Sequence, residues 1–235
     1  MESRQELTVD VALEIEERGF AILDGMFSPI EMLKVIGDLE HSSLKRSKAG
    51  VRHALKEAAV ATLAADLRLF NIAREILGPG AVPFRATLFD KSPQANWLVV
   101  WHQDTALPLR ERREVSGWGP WSVKDGIVYA HAPASSLRQV LALRVHLDDS
   151  DAHNGPLRVL PGTHTNGVLS DDEIQMRAAQ ITPVDCLIRK GGVLVMRPLI
   201  LHASSKSQSE APRRVVHIEY AASSTLDAGL ELAVA

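Results

Sequence analysis

Cysteine is almost absent. Cys186 stands alone among 235 residues, which excludes an internal disulfide and any metal site built on paired thiolates, and fits a reducing compartment. Neither charge sign dominates. Lys and Arg number 26 against 29 Asp and Glu, for a formal net charge of -3. The short basic run Lys45-Arg46-Ser47-Lys48 reads as a solvated helix end, so no nucleic-acid partner is expected. Aromatic residues make up only 5% of the chain. No apolar run reaches the ~20 residues that cross a bilayer, so no membrane association is expected. The first stretch carries Glu2, Glu6, Asp10, Glu14, Glu16 and Glu17, unlike a secretory or transit peptide, and the cytoplasm is the expected location. What remains is ordinary for a globular chain: 46% hydrophobic and 23% charged residues.

Residues Thr8 to Arg18 alternate acids with Val11, Leu13 and Ile15, the pattern of a short amphipathic helix stopped by Gly19. Phe20 to Leu23 then reads as a strand closed by Asp24-Gly25. Ser28-Pro29 followed by Glu31 marks a helix start, continued through Leu33, Ile36 and Leu39. A second helical region runs from Ala54 to Leu77 and ends at Gly78-Pro79-Gly80. From Val82 the texture changes to short strand-like runs: Phe84 to Phe89, Trp97 to Trp101, Ala142 to Leu147, Leu157 to Leu160, Val193 to Met196, Leu199 to His202 and Val215 to Tyr220. Turn signals such as Asn154-Gly155-Pro156, Pro161-Gly162 and Gly191-Gly192 separate them. Helices followed by many strands give an α+β, mainly β protein, with helices packed outside a β-sandwich or open barrel. One domain spanning residues 1–235 is the simplest organisation: a helical flank over 1–80 and a β core over 81–235. The least regular stretch, 105–139, is expected to be an ordered lid or a mobile loop.

In Trp101-His102-Gln103-Asp104, extended chain would turn the imidazole and the carboxylate to the same side, so both can reach one ion. The apolar run Val193 to Leu201 delivers His202 as the third candidate ligand. Two His and one carboxylate on one face leave coordination positions free, which is the arrangement of non-haem iron(II) oxygenases. Alone, His-x-Asp is a weak signal; a surface His beside a solvated Asp reads the same way. Ser204 and Arg213 strengthen it. An arginine fork and a hydroxyl would anchor the far end of a dicarboxylate whose near end chelates the metal. Arg214, its neighbour on the strand, points the other way.

The chain resembles the phytanoyl-CoA dioxygenase family of iron(II)- and 2-oxoglutarate-dependent oxygenases. The resemblance runs through Gly19 to Gly25, Gly50 to His53, Arg85 to Pro93, Asn96-Trp97, Trp101 to Asp104, Arg144 to Asp149, Asn154 to Leu157, Leu160 to His164, His202-Ala203-Ser204 and Arg213-Arg214. It implies a double-stranded β-helix (jelly roll, cupin-like) core with flanking N-terminal helices. It implies that His102, Asp104 and His202 hold Fe(II) and that Arg213 and Ser204 bind 2-oxoglutarate. Molecular oxygen would be the oxidant and a small molecule the substrate. Asp104 stands where related halogenases carry a small residue, which favours hydroxylation. Desaturation, epoxidation or rearrangement on the same fold stay open, as does a non-catalytic metal- or small-molecule-binding jelly roll. A metal hydrolase lacks its general-base glutamate beside the ligands. The family's upstream lysine and downstream tryptophan suggest Lys48 and Trp118 or Trp121 near the co-substrate. Thr87, which shares a strand face with Arg85, is a further candidate contact. His146, His164 and His217 read as core, cap or neighbouring residues rather than ligands, while His53 and His131 are candidates to reach the pocket. Trp97 reads as core, and Arg110, Arg112 and Arg113 as a solvated loop or an attractor of an anionic substrate.

Overall fold

A computed structural model of the chain describes residues 11–42, 50–93 and 95–234. Lys48, the basic run around it and Thr8 lie outside the described residues. Residues 11–17 form helix α1. Helix α2, Pro29–Glu40, starts as its sequence predicts: the Ser28 hydroxyl accepts from the Glu31 amide, and the Glu31 side chain reaches back to the Ser28 amide. Its buried stripe is Met32, Ile36 and Leu39. Leu33, expected on that face, lies one residue round the helix and is exposed. The expected helix from Ala54 to Leu77 is three pieces: a 3₁₀ turn at Ala54–Lys56, α3 at Ala58–Ala64 and α4 at Leu67–Leu77. Asp66 makes the last break, capping the Arg68 amide.

Among the described residues, twelve strands follow the order β1 (Phe20–Leu23), β2 (Val82–Lys91), β3 (Val99–His102), β4 (Ala106–Leu109), β5 (Trp121–Lys124), β6 (Ile127–His131), β7 (Val140–His146), β8 (Leu157–Leu160), β9 (Val184–Cys186), β10 (Val193–Met196), β11 (Leu201–Ser204) and β12 (Arg213–Ala221). Two short helices join them, α5 at Ala134–Leu137 and α6 at Asp171–Gln180. A five-stranded antiparallel sheet runs β1-β10-β7-β12-β2, and a four-stranded one runs β3-β11-β8-β9. The chain crosses between them at β2 to β3, β7 to β8, β9 to β10, β10 to β11 and β11 to β12, so successive strands close a sandwich. Phe20, Ala142, Leu194 and Met196 of the first sheet meet Leu157, Val159 and Ile188 across it. The sandwich with outer helices is therefore the architecture expected.

Two expectations need correction. The stretch 105–139, expected to be the least regular, an ordered lid or a mobile loop, carries a third antiparallel sheet made of β4, β6 and β5. Helix α6 and strand β9 were not expected. The signal for α6 was present, since Ser170 and Glu173 form the same capping box as Ser28 and Glu31. Among the described residues, no helix is long and apolar enough to cross a membrane.

Period-two alternation places the site. Ala86 and Leu88 of β2, Leu143 and Val145 of β7, and Val216 and Ile218 of β12 pack against the helices. Their alternates therefore face the interior of the sandwich: Arg85, Thr87, Phe89 and Lys91; Arg144 and His146; Arg213, His217 and Glu219. Such a concentration of buried polar groups on one inner sheet face is costly unless something pairs with it.

Candidate active site

His102 ends β3, and His202 sits opposite it in β11. The run from Val193 is not one strand. It leaves the first sheet after Met196 and enters the second at Leu201, so His202 stands near the start of a strand rather than at its end. Thr163 fixes that entry by donating to the Leu160 carbonyl and accepting from the Leu201 amide. Asp104 lies just beyond β3, its amide bonded to the Pro198 carbonyl. Between His102 and Asp104, Gln103 is pinned by Gly167, Leu169 and Leu199.

The donor geometry suits one metal ion. His102 Nδ1 lies 2.9 Å from the Val100 carbonyl and His202 Nδ1 2.9 Å from the Ile200 carbonyl. Each Nδ1 must therefore carry the proton, which leaves both Nε2 lone pairs free. These nitrogens lie 3.6 and 3.4 Å from the Asp104 oxygens. That is close to the ~3 Å between adjacent positions around an ion with ~2.1 Å bonds. Among the described residues, only this trio was found as a group able to hold a metal. Burial drives the His202 imidazole down to about 4, keeping it neutral as a ligand must be. Burial opposes the Asp104 charge, yet His202 and His102 beside it hold its carboxyl well below the usual range.

Beside the trio lies a cavity of about 100 Å³ lined by Phe89, Lys91, Trp97, Arg144, Ser204 and Arg213 as well as His102, Asp104 and His202. Three cations meet there, and Asp104 is the one acidic group in its wall. Arg213 Nε donates to the Asn154 carbonyl while its Nη1 has no partner. Arg144 donates to His217 Nδ1 at 3.0 Å, and its Nε has no partner. Burial lowers both guanidinium groups to about 10, so both stay charged at neutral pH. Lys91, 1% exposed, donates to Ser204 Oγ and to the Ser205 carbonyl. Burial and then the charges of Arg213 and Arg144 push its ammonium down to about 7. Ser204 in turn donates to the Gly155 carbonyl, so here its hydroxyl holds Lys91 rather than aiming a proton into the cavity. Asn154-Gly155 thus supplies the acceptors that orient both Arg213 and Ser204. Gly155 has φ 67, and a Cβ there would strike the Ser205 carbonyl. Buried cations with donors left over demand an anion.

A second cavity of about 200 Å³ touches the first through Phe89 and Asp104; Arg52, Arg85, Thr87, Lys124, Tyr129, His217 and Glu219 line it. Thr87 therefore belongs to this cavity and not beside Arg213, because it lies two residues nearer the strand start than Phe89. Trp118 is also misplaced by the sequence reading: it packs with Leu107, Leu109 and Ala130, and Trp121 has the Arg112 guanidinium over its ring. Trp97, expected in the core, is instead the aromatic wall of the first cavity, 5.5 Å from the Lys91 ammonium. None of the other histidines named from the sequence joins the group able to hold a metal. His53 bonds to Tyr129, His131 to Thr105 and His164 to the Glu16 carbonyl. His146 is buried with neither ring nitrogen partnered, and His217 lies in the second cavity's wall. Arg110 and Arg112 pair with Glu231 and Glu114 at the surface.

A profile of the phytanoyl-CoA dioxygenase family matches residues 15–215. The ectoine dioxygenase of Stutzerimonas stutzeri (strain A1501) is 25% identical over 178 residues, which cover 67% of this chain and 52% of that protein. The L-proline trans-4-hydroxylase of Streptomyces griseoviridis is 27% identical over 138 residues, 48% of this chain and 51% of that protein. This chain spans about half the length of the curated relatives it matches. EctD from S. alaskensis, solved with 2-oxoglutarate and 5-hydroxyectoine, aligns with a TM-score of 0.69 at 22% identity, covering 89% of this chain and 74% of that one. The jelly-roll core is common to both. With the profile spanning most of the sandwich and the metal trio in place, the chain belongs to the phytanoyl-CoA dioxygenase family.

Proposed function

We propose that this protein is an iron(II)- and 2-oxoglutarate-dependent dioxygenase that oxidises, as a hydroxylase in the simplest case, a C–H bond of a small molecule. One observation carries the reading: a two-His, one-carboxylate trio opens directly onto a pocket of three buried cations. His102, Asp104 and His202 would hold the iron. Bound iron and 2-oxoglutarate together supply oxidative attack on a C–H bond, with release of succinate and carbon dioxide. Arg213 and Lys91 would grip the far carboxylate of the co-substrate, Ser204 and Asn154 keeping them aimed. Arg144, beside Asp104, adds charge that favours the near end of the dianion. Phe89 and Trp97 keep the pocket narrow and water-poor, which strengthens each of these interactions. Ectoine and proline, on which the named relatives act, are small molecules, a size in keeping with the second cavity. The test is succinate release by the purified full chain. It should require added ferrous ion, 2-oxoglutarate and oxygen together, and rise with a suitable small molecule. Absence of succinate across such a screen, together with no visible absorbance of an iron–2-oxoglutarate chelate, would remove the assignment.

Lys91 gives this pocket a pH signature. Free 2-oxoglutarate is a dianion throughout pH 7 to 9, since carboxylic acids titrate near 4. The empty pocket holds Lys91 near 7, and a bound dianion raises that value, so binding takes up a proton in this window. Affinity should therefore fall as pH rises from 7 to 9, approaching about tenfold per unit. Lys91→Met should bind more weakly at pH 7 and show a flat profile. A wild-type profile as flat as the variant's would mean that the ammonium does not meet the co-substrate.

A further inference from the structure

The second cavity carries its own charge problem. Its buried part is balanced: Arg85 forms a paired salt bridge with Glu219, and the same guanidinium donates to the Ala106 carbonyl. Its mouth is not. Arg52 and Lys124 both line the cavity, and neither has a carboxylate partner among the described residues. Among the described residues, the Lys124 ammonium lies over the face of Tyr129, 5.0 Å away. Burial, Arg52 and Arg85 all depress the Lys124 ammonium, as expected of cations crowded at one opening. Of the residues that line the whole cavity, Arg52, Arg85 and Lys124 are cationic and Asp104 and Glu219 acidic, a surplus of one positive charge.

The wall beside these cations carries a fixed polar group. His53 is 6% exposed and holds the left-handed conformation, φ 59, uncommon for a residue with a β-carbon. That conformation brings its Nε2 to 2.9 Å from the Tyr129 hydroxyl and lays the two rings 19° from parallel. The phenol is thereby fixed in the cavity wall. Thr87 and His217, neighbours across the β2–β12 ladder, line the inner end next to Asp104.

We propose that the second cavity admits a small monocarboxylic acid, its carboxylate held at the mouth by Arg52 and Lys124 and its body passing Tyr129 and Thr87 toward Asp104. The claim deepens the oxygenase reading and rests on it for the role of the neighbouring metal trio. The recognition itself rests on the cavity's own charges. A neutral molecule leaves both mouth cations unpaired, whereas a monoanion matches the net charge and gains charge-assisted hydrogen bonds. The limited volume excludes long chains from full enclosure.

The test uses the zinc-loaded full chain at low ionic strength, with saturating 2-oxoglutarate present to fill the first cavity. Ligand-observed NMR is recorded on a library of small monocarboxylic acids, each paired with its primary amide. Acids should bind at least about tenfold more tightly than their amides, the scale of one charge-assisted contact. That preference should vanish in Arg52→Ala/Lys124→Ala, whose substitutions lie at an open mouth, and return in large part with Arg52→Lys alone. Equal binding of amides, an acid preference that survives the double substitution, or no acid bound at all would each overturn the proposal. Failure of the oxygenase reading shows separately, as no iron–2-oxoglutarate absorbance in anaerobic wild-type protein. The acid-against-amide comparison can then still be read without metal.

Discussion

His202→Ala is expected to weaken ferrous ion binding by at least about a hundredfold, beyond the 10- to 100-fold that losing a ligand's supporting partner costs in other metal sites. The ring is 3% exposed, its Nδ1 is committed to the Ile200 carbonyl and its Nε2 faces Asp104. Nothing else among the described residues stands ready to replace it. Asp104→Ala should also lose iron strongly, because it removes the only carboxylate that offsets the metal's charge inside the trio. Asp104→Gly should retain some iron, with water or halide in the vacated position, and lose hydroxylation. The measurement is anaerobic equilibrium dialysis of ferrous ion, with melting temperatures recorded to separate metal loss from unfolding. Equal iron affinity in wild type, His102→Ala, Asp104→Ala and His202→Ala would show that the trio is not the metal site.

The trio was legible because its members are carried by backbone rules that sequence displays. His-x-Asp at the end of an apolar run needs only extended chain to aim two candidate ligands together, and His202 follows directly on the apolar run Val193 to Leu201. Arg213 and Arg214 were separable for the same reason: alternation sends one inward and the other to Asp148 and Glu40. Lys91 was missed although the rule that found Thr87 also reaches it, since positions 85, 87, 89 and 91 share one face of β2. What hid Lys91 is that a lysine in Lys91-Ser92-Pro93 looks like a solvated strand end, and only pairing with β12 at Arg213 buries it. Arg144 was hidden differently. Its neighbours Leu143 and Val145 mark a buried strand, but not which inner group its side chain meets, since His217 comes from a strand far along the chain. Trp118 shows the limit of carrying a residue over by resemblance: four tryptophans lie near the metal motif, and spacing alone cannot say which wall each one joins. The third sheet was unreadable because β4, β5 and β6 are short and lie in a stretch broken by Gly117, Gly119, Pro120 and Gly126.

Arg213→Ala is expected to cost 2-oxoglutarate about 2–5 kcal/mol of binding, roughly thirtyfold or more, because a buried charge-assisted pair is lost. Arg213 is 4% exposed, and its Nη1 has no partner among the described residues, so the donor is in place before any ligand arrives. Arg213→Lys should recover only part of the loss, since an ammonium cannot present two parallel N–H groups to one carboxylate. Iron affinity without 2-oxoglutarate should change little, as the residue bonds to Asn154 and not to a ligand of the trio. Arg214→Ala is the internal control. Its guanidinium pairs with Asp148 and Glu40 on the helical side, so its loss should cost about 1 kcal/mol of stability and leave co-substrate binding alone. The readout is anaerobic titration of the iron-loaded protein, followed by the visible absorbance of the chelate. Arg213 also depresses Lys91 by its charge, and that coupling gives a second signature. Without Arg213, the lysine should hold its proton to higher pH, so the residual affinity of Arg213→Ala should begin to fall at a higher pH than in wild type. A variant with unchanged affinity would remove 2-oxoglutarate from this pocket. A variant weakened by the full amount but with an unshifted pH profile would keep the arginine and remove Lys91 as its partner.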